Sequence, residues 1–384
     1  MHLALTIASA LCALLALAGA VYFGLCVRAG KRFQRELDAN SHLNFAPPVS
    51  VMKSLKGLDP HMYAAFRSHC VLDYPKYELL FGISDSNEPA LELVKRLQQE
   101  FPQRSIRVIE CKQSLGLNGK VSTLAQMVPQ ANYEHILIND SDIVAPADYL
   151  RRVMRYFTDR RVGMVTSLYR GLAGSTISSR IEALGLSTDF VGGVLVAREM
   201  EGGIRFALGA TMATTKSVLR EIGGLEALVN YLGDDYELGA RTAAAGYSVA
   251  LADVVVDTAL PDYSWSEFWS HQLRWARNVK DRRPGQYLGL IVTFGLAWGI
   301  LAALFDWQAW WTWTALTVVA VARLLAALTI GRGVLRDPNV MRDLWLLPVR
   351  DFVALGVWIA SFASDEVEWR GLKFRVQDGK LQRM

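Results

Sequence analysis

From Leu3 to Val27 the chain carries no charged residue, and a helix needs roughly 20 apolar residues to cross the hydrocarbon of a bilayer. That run predicts a membrane-spanning helix at the start of the chain. Arg28, Lys31, Arg32 and Arg35 follow it and only His2 precedes it, the reverse of the charge order in a cleaved signal peptide. The expectation is a retained anchor over residues 1–30, with the following residues on the cytoplasmic side, where positive charge collects.

Apolar sequence returns after Pro284. Tyr287 to Phe305 and Ala309 to Ile330 predict a membrane hairpin around Asp306, with Trp307, Trp310, Trp311 and Trp313 suited to the headgroup layer. Arg323 falls inside the second arm, where it is costly unless it snorkels or finds a carboxylate, so packing and lipid contact are both open roles. In Leu344 to Ala363, Pro348, Arg350 and Asp351 leave Phe352 to Ala363 as the continuous run, which is short for a span and fits a re-entrant or tilted segment. Residues 286–363 therefore read as a C-terminal membrane region. Residues 364–384, with Trp369, Arg370, Lys373 and Arg375, read as a basic tail on the cytoplasmic side.

Between these regions, residues 45–285 alternate β-rich runs with amphipathic helical stretches. Strands are expected at Val49 to Leu55, Tyr77 to Ser84, Ser105 to Glu110, Glu134 to Asn139 and Val162 to Ser167. Helices are expected at Pro60 to Cys70, Glu88 to Glu100, Asn118 to Val128 and Asp148 to Asp159. This order implies an α/β fold with a doubly wound, mostly parallel sheet, whose ligands bind beyond the carboxyl ends of the strands. A net charge of +4 without basic runs gives no footprint for nucleic acid. The four cysteines have no disulfide or zinc spacing, which suits a reducing compartment.

Four stations carry chemistry. Asp85, after the second strand in Gly82-Ile-Ser-Asp-Ser-Asn-Glu-Pro89, can accept hydrogen bonds from a nucleotide, or can simply form an Asp-Ser-Asn turn. Asp140 and Asp142 follow the fourth strand with alternate spacing, so they point the same way and suit a hard divalent cation, Mg or Mn, shared with a substrate diphosphate. In Tyr231-Leu-Gly-Asp-Asp-Tyr-Glu-Leu238 a carboxylate opening a helix can take a proton from an attacking hydroxyl, while Asp234 or Asp235 can equally cap that helix. The fourth station, Ser270-His-Gln-Leu-Arg-Trp-Ala-Arg277, lies in an aromatic and basic stretch over residues 263–283 that predicts an interfacial helix. There Arg274 can meet a departing diphosphate and Trp275 can pack on the acceptor or sugar.

Lys120, at the start of a helix, is placed to favour an anion, and Gly209 permits a close backbone approach or marks a turn. The apolar stretch Ile181 to Ala197 is either core helix or a surface lying on the membrane. A Walker lysine motif, a Gly-x-Gly-x-x-Gly after a strand and a His-Glu-x-x-His are all missing.

Three separated aspartates, Asp85, Asp140 and Asp235, followed by His271-Gln-Leu-Arg-Trp275, make the chain resemble the ceramide glucosyltransferases and their bacterial hopanoid-associated relatives along nearly its whole length. Leu55-Lys-Gly-Leu-Asp-Pro60, Leu72-Asp-Tyr-Pro-Lys-Tyr-Glu78, Gly223-Gly-Leu225 and Trp369-Arg-Gly371 are similar too. The resemblance implies a GT-A fold, a UDP-sugar donor contacted by Asp85, a metal on Asp140 and Asp142, Asp235 as base and inversion at the anomeric carbon. It also implies donor contacts near His271, Gln272, Arg274 and Trp275, to which Lys120 is added from its helix-start position, and a lipid acceptor: ceramide receiving glucose, or a hopanoid such as bacteriohopanetetrol receiving N-acetylglucosamine. The expected setting is a bacterial inner membrane. His271 departs from the glutamine or arginine frequent in the family, which puts the local donor contact in question. A processive polysaccharide synthase shares the aspartates and the Arg-Trp pair but needs a channel, for which these apolar segments are few. A non-enzymatic scaffold would be expected to lose some of the three carboxylates Asp140, Asp142 and Asp235, all of which are present.

Overall fold

The computed structural model describes residues 2–39, 45–59, 61–369 and 371–383. Pro60, expected to open a helix, and Arg370 of the expected tail lie outside the described residues.

Eight strands form one sheet: β1 (Val49–Ser54), β2 (Tyr77–Ile83), β3 (Ser105–Glu110), β4 (His135–Ile138), β5 (Ile143–Val144), β6 (Val162–Leu172), β7 (Met212–Thr215) and β8 (Ser248–Ala259). Their spatial order is β3-β2-β1-β4-β7-β6-β8-β5. β3, β2, β1 and β4 are parallel, β7 runs against both of its neighbours, and β6 pairs in parallel with β8. The sheet is therefore mostly parallel, as expected. Strands β1 and β2 are buried throughout but for Ser54, the signature of a sheet covered on both faces. Three strands were absent from the sequence reading: β5, β7 and the long β8.

The first helix, α1 (His2–Ala39), is continuous, and its apolar part is long enough to cross a membrane. Three further helical stretches meet that criterion by length and composition: Pro284–Phe305, Trp310–Val334 and Val340–Ser361. The last is helical well before Phe352, so the helix is longer than the continuous apolar run read from the sequence. Helix begins before Pro348, which sits in the first turn of Leu347–Ser361, where its missing N–H is no loss. Arg350 and Asp351 are absorbed in ion pairs instead of interrupting the helix. Small residues bring α1 against the hairpin: a Cβ added to Gly19 would lie 2.6 Å from the Gly295 Cα, and Ser9 Oγ donates to the Ala302 carbonyl at 2.8 Å. The Ile181 to Ala197 stretch is part of a helix over 177–200 with a π-helical turn at Leu186–Phe190. Glu199 in it pairs with Arg28 of α1 at 2.9 Å, and Arg198 pairs with Glu36 at 2.6 Å.

The expected basic tail is instead a folded element. Strands β9 (Glu366–Trp369), β10 (Leu372–Gln377) and β11 (Lys380–Arg383) form an antiparallel sheet. The β10–β11 turn places Asp378 and Gly379 at positive φ, the geometry a two-residue hairpin requires. Val367, Phe374, Val376 and Leu381 cover Leu232, while Leu232 N–H donates to the Gly379 carbonyl (3.0 Å) and Leu381 N–H to the Asn230 carbonyl (2.7 Å).

Candidate active site

The carboxyl end of β4 leads into Asn139-Asp140-Ser141-Asp142. Asn139 is buried and fixed by hydrogen bonds to the Ala210 carbonyl (2.6 Å) and Tyr149 Oη (2.9 Å), so the turn that follows has little freedom. On the neighbouring strand β1, the buried Lys53 donates its Nζ to the Asp140 carbonyl at 2.9 Å. Burial pulls the Lys53 ammonium down to about 7, against the opposing pull of Asp142 and Asp140. Asp142 Oδ2 accepts from Thr258 Oγ1 of β8 at 2.6 Å. Burial and the Asp140 charge push Asp142 up to about 6, despite that hydrogen bond.

A helix over Gly119–Met127, α2, is capped by Asn118, whose Oδ1 accepts the Val121 N–H at 3.1 Å and whose Nδ2 donates to the Tyr231 carbonyl at 2.7 Å. The second bond joins this helix start to the loop before α3 (Asp234–Ala244). Lys120 was expected to face an anion from that position. Its Nζ lies 2.7 Å from Asp140 Oδ1 and 3.2 Å from Asp234 Oδ2, two carboxylates of the chain itself. Burial opposes the Lys120 charge, but Asp140, Asp234 and Asp235 outweigh it and hold the group well above the ordinary lysine value.

Asp235 accepts the Gly209 N–H at Oδ2 (2.9 Å) and its own helix's Tyr236 N–H at Oδ1 (2.7 Å). A Cβ at Gly209 would stand 3.0 Å from Asp140 Oδ2 and 3.3 Å from Asp235 Oδ2, so this backbone lies close between the two carboxylates and a larger residue would have to push them aside. Burial, then Asp234, push Asp235 up to about 6, with Lys120 opposing.

Asp140, Asp142, Asp234 and Asp235 thus gather around two amines, Lys53 and Lys120. The donor set fits a divalent cation. Asp140 and Asp142 supply hard oxygen ligands, negative charge is in excess, and the ammonium on Asp140 shows that the position attracts positive charge. No cluster of three or more potential protein ligands occurs among the described residues, so the rest of a coordination shell would come from substrate phosphate and water.

Asp85 is exposed beyond β2, and its Oδ1 accepts the Asn87 N–H at 2.9 Å in a local turn. The fourth station lies on α4 (Trp265–Arg282), whose start is closed by a capping box of Ser264 and Glu267. His271 Nδ1 sits 3.1 Å from Glu182 Oε1. Gln272 Oε1 accepts from Arg350 Nη1 at 3.0 Å. Trp275 is tilted against Phe190, with ring centroids 6.3 Å apart, and Arg274 borders a groove of about 340 Å³ between α4 and the C-terminal sheet. The structure brings Lys120, Asp140, Asp142 and Asp235 together, while Asp85, His271, Gln272 and Trp275 take partners of their own.

Two contributors escaped the sequence reading. Lys53 had a signal, a lysine at an otherwise buried position of Val49-Ser-Val-Met-Lys-Ser54. Glu182 lies in an ordinary amphipathic helix, Ile177–Gly185, and had none.

The chain as a whole is similar to several known proteins. The chain is 24% identical over 360 residues to ceramide glucosyltransferase 3 of Caenorhabditis elegans, covering 87% of this chain and 73% of the relative. It is 24% identical over 269 residues to beta-monoglucosyldiacylglycerol synthase of Synechocystis, covering 68% of this chain and 53% of that protein. Among solved structures, the mannosyltransferase PcManGT of Pyrobaculum calidifontis, determined with GDP-Man and Mn2+, superposes with a TM-score of 0.53 at 20% identity over 92% of this chain and 98% of that one. The fold is accordingly of the GT-A glycosyltransferase type. Residues 11–382 match the sequence profile of glycosyl transferase family 21, and the chain belongs to that family.

Proposed function

We propose that this membrane protein transfers one sugar from a UDP-sugar to the hydroxyl of a membrane lipid, with inversion. The observation that carries the reading is the facing of Asp140 and Asp235 across the Gly209 backbone. One carboxylate is suited to hold the donor's diphosphate through a cation, the other to accept a proton a short distance away. Asp140 and Asp142 would hold the metal, which neutralises charge on the diphosphate as it leaves. Asp235, held near pH 6, is ionised at neutral pH and takes the proton of the acceptor hydroxyl. The hydroxyl oxygen then bonds to the anomeric carbon from the side opposite the diphosphate, the bond from that carbon to the diphosphate oxygen breaks, and UDP departs. Lys120, freed from Asp140 when the donor's own charges arrive, is placed to pair with phosphate, and Arg274 is the second cation assigned to it. Asp85 is assigned to the nucleotide.

The acceptor is a lipid in both named relatives, ceramide in one and a diacylglycerol in the other. Four helices long and apolar enough to span a membrane support a reaction at the bilayer surface. Two pairings stand: glucose onto ceramide and N-acetylglucosamine onto a polyhydroxylated hopanoid, in a bacterial inner membrane with the catalytic residues facing the cytoplasm. The test is incubation of purified protein in nanodiscs with Mg or Mn, a panel of UDP-sugars and both lipids, with products read by mass spectrometry. A single hexose or N-acetylhexosamine on either lipid supports the reading. A polymer would move the protein to the processive synthases, and no transfer to any lipid would sink it.

A further inference from the structure

Two ties join the Asp140 side of the site to the Asp235 side. One is Lys120, whose Nζ bridges Asp140 and Asp234. It is made of charges for which an arriving diphosphate competes, so it does not hold a spacing once the donor is bound. The other runs through neutral groups sealed from solvent. It starts at Asn139, which is 1% exposed and stands one residue before Asp140.

The backbone ladder between β4 and β7 ends at Ile138 opposite Met212. One residue further, the Asn139 N–H still donates to the Met52 carbonyl of β1 at 3.3 Å. On the β7 flank the side chain takes over from the backbone. Its Nδ2 donates to the Ala210 carbonyl (2.6 Å) and to Tyr149 Oη (2.9 Å), while Oδ1 faces His69 Nε2 at 3.2 Å. Tyr149 Oη shares a further hydrogen bond, 2.7 Å long, with Thr211 Oγ1. Ala210 and Thr211 are thus both tied to Asn139, one directly and one through the phenol.

The residue before Ala210 is Gly209, whose N–H donates to Asp235 Oδ2 at 2.9 Å. The turn over residues 208–211 transmits position because it is itself closed: Thr211 N–H donates to the Leu208 carbonyl (3.0 Å), and Thr166 Oγ1 accepts the Leu208 N–H (2.9 Å). From Asp140 to Asp235 the path is two peptide links and two hydrogen bonds. A primary amide is the side chain this place needs, since it offers two donors and an acceptor without charge. Leucine would strand the buried Ala210 carbonyl, and aspartate would set an anion against it.

We infer that Asn139 is a positioning residue whose amide, acting through the turn over 208–211, sets the distance between Asp140 and Asp235 while the donor is bound. This rests on the roles given to Asp140 and Asp235 above.

The test compares the full chain in nanodiscs with Asn139→Ala, which removes both ties, and with Tyr149→Phe, which removes only the indirect one. Three quantities are read: amide exchange over 207–211 by mass spectrometry, UDP affinity with Mn by calorimetry, and kcat with the lipid acceptor. In Asn139→Ala, exchange over 207–211 should speed up by about tenfold or more and kcat should fall by about 10–100-fold, while UDP affinity changes by less than about twofold. Tyr149→Phe should show the same split at several-fold size, and it decides the matter if Asn139→Ala does not fold. Unchanged exchange over 207–211 overturns the assignment. So does an equal loss of kcat and UDP affinity, which would confine Asn139 to supporting the Asp140 turn. If the wild-type protein glycosylates no lipid but its exchange over 207–211 depends on Asn139, the link stands and the enzymatic reading fails; transfer indifferent to Asn139 rejects the link alone.

Discussion

Buried charge gathers in two places, and the two are built differently. Beyond the strands, Asp140, Asp142, Asp234 and Asp235 surround Lys53 and Lys120, an excess of negative charge. Among the apolar helices, Arg323 bonds Asp351 Oδ1 at 3.0 Å and also Asp189, whose other oxygen accepts from Arg350 Nε at 2.9 Å. That second group holds two cations and two anions, and Arg350 also donates to Gln272 Oε1. A charge-balanced network in low dielectric serves to fix helices against one another. An unbalanced one is completed by a ligand that brings the missing charge.

The contrast is open to direct challenge. The largest expected effect is on turnover: Asp235→Asn should cut kcat by about 10²–10⁴-fold while UDP affinity holds within about twofold, since only proton transfer is removed. Full activity in that variant would break the base assignment. In the balanced group the loss should fall on stability. Arg323→Met strands buried carboxylates and should cost about 3–5 kcal/mol in unfolding followed in nanodiscs, with partial recovery on adding Asp351→Leu. A neutral single variant would show that this network fixes nothing.

Asp140→Asn should separate the groups most cleanly. Removing one carboxylate from a crowd leaves thermal stability unchanged or slightly raised, yet weakens UDP binding in the presence of Mn by about tenfold through the lost metal ligand. A marked drop in melting temperature would place Asp140 with the structural charges. The gentlest probe is pH. Asp235 must be ionised to act and burial raises it to about 6, so kcat/KM should be flat from about 7 upward and fall by up to about tenfold per unit below 6. A profile still flat at pH 5 would mean that the group taking the proton lies elsewhere.

Much of this was legible before any coordinates, because period-two apolar runs and the position of carboxylates at strand ends are local signals. Strands β1 to β4 and the pair Asp140 and Asp142 came from such signals. β8 did not, since Asp253 and Asp257 break its apolar run; they are satisfied at a distance by Arg155 and Arg170. The length of the last candidate span was hidden for the same reason, since Arg350 and Asp351 are balanced by residues far away in sequence. Lys120 shows the limit most directly. Its place at a helix start was readable, but its partner Asp234 is more than a hundred positions along the chain. The C-terminal sheet did leave a mark in Asp378-Gly379, a hairpin pair that composition alone reads as part of a basic tail.

That sheet has a consequence for the loop that leads to Asp235. Its last strand bonds to Asn230 and Leu232, immediately before the helix that carries Asp235, and Gly379 N–H donates to Asp281 at the end of α4. A chain ending at Ser364 should therefore show faster amide exchange over 228–235 while the β1–β4 strands stay protected, and unchanged exchange there would refute the link. The loop leading to Asp235 is thus held from two sides, by Asn118 at the start of α2 and by the C-terminal sheet, so proteolytic loss of that sheet would remove one of its two supports.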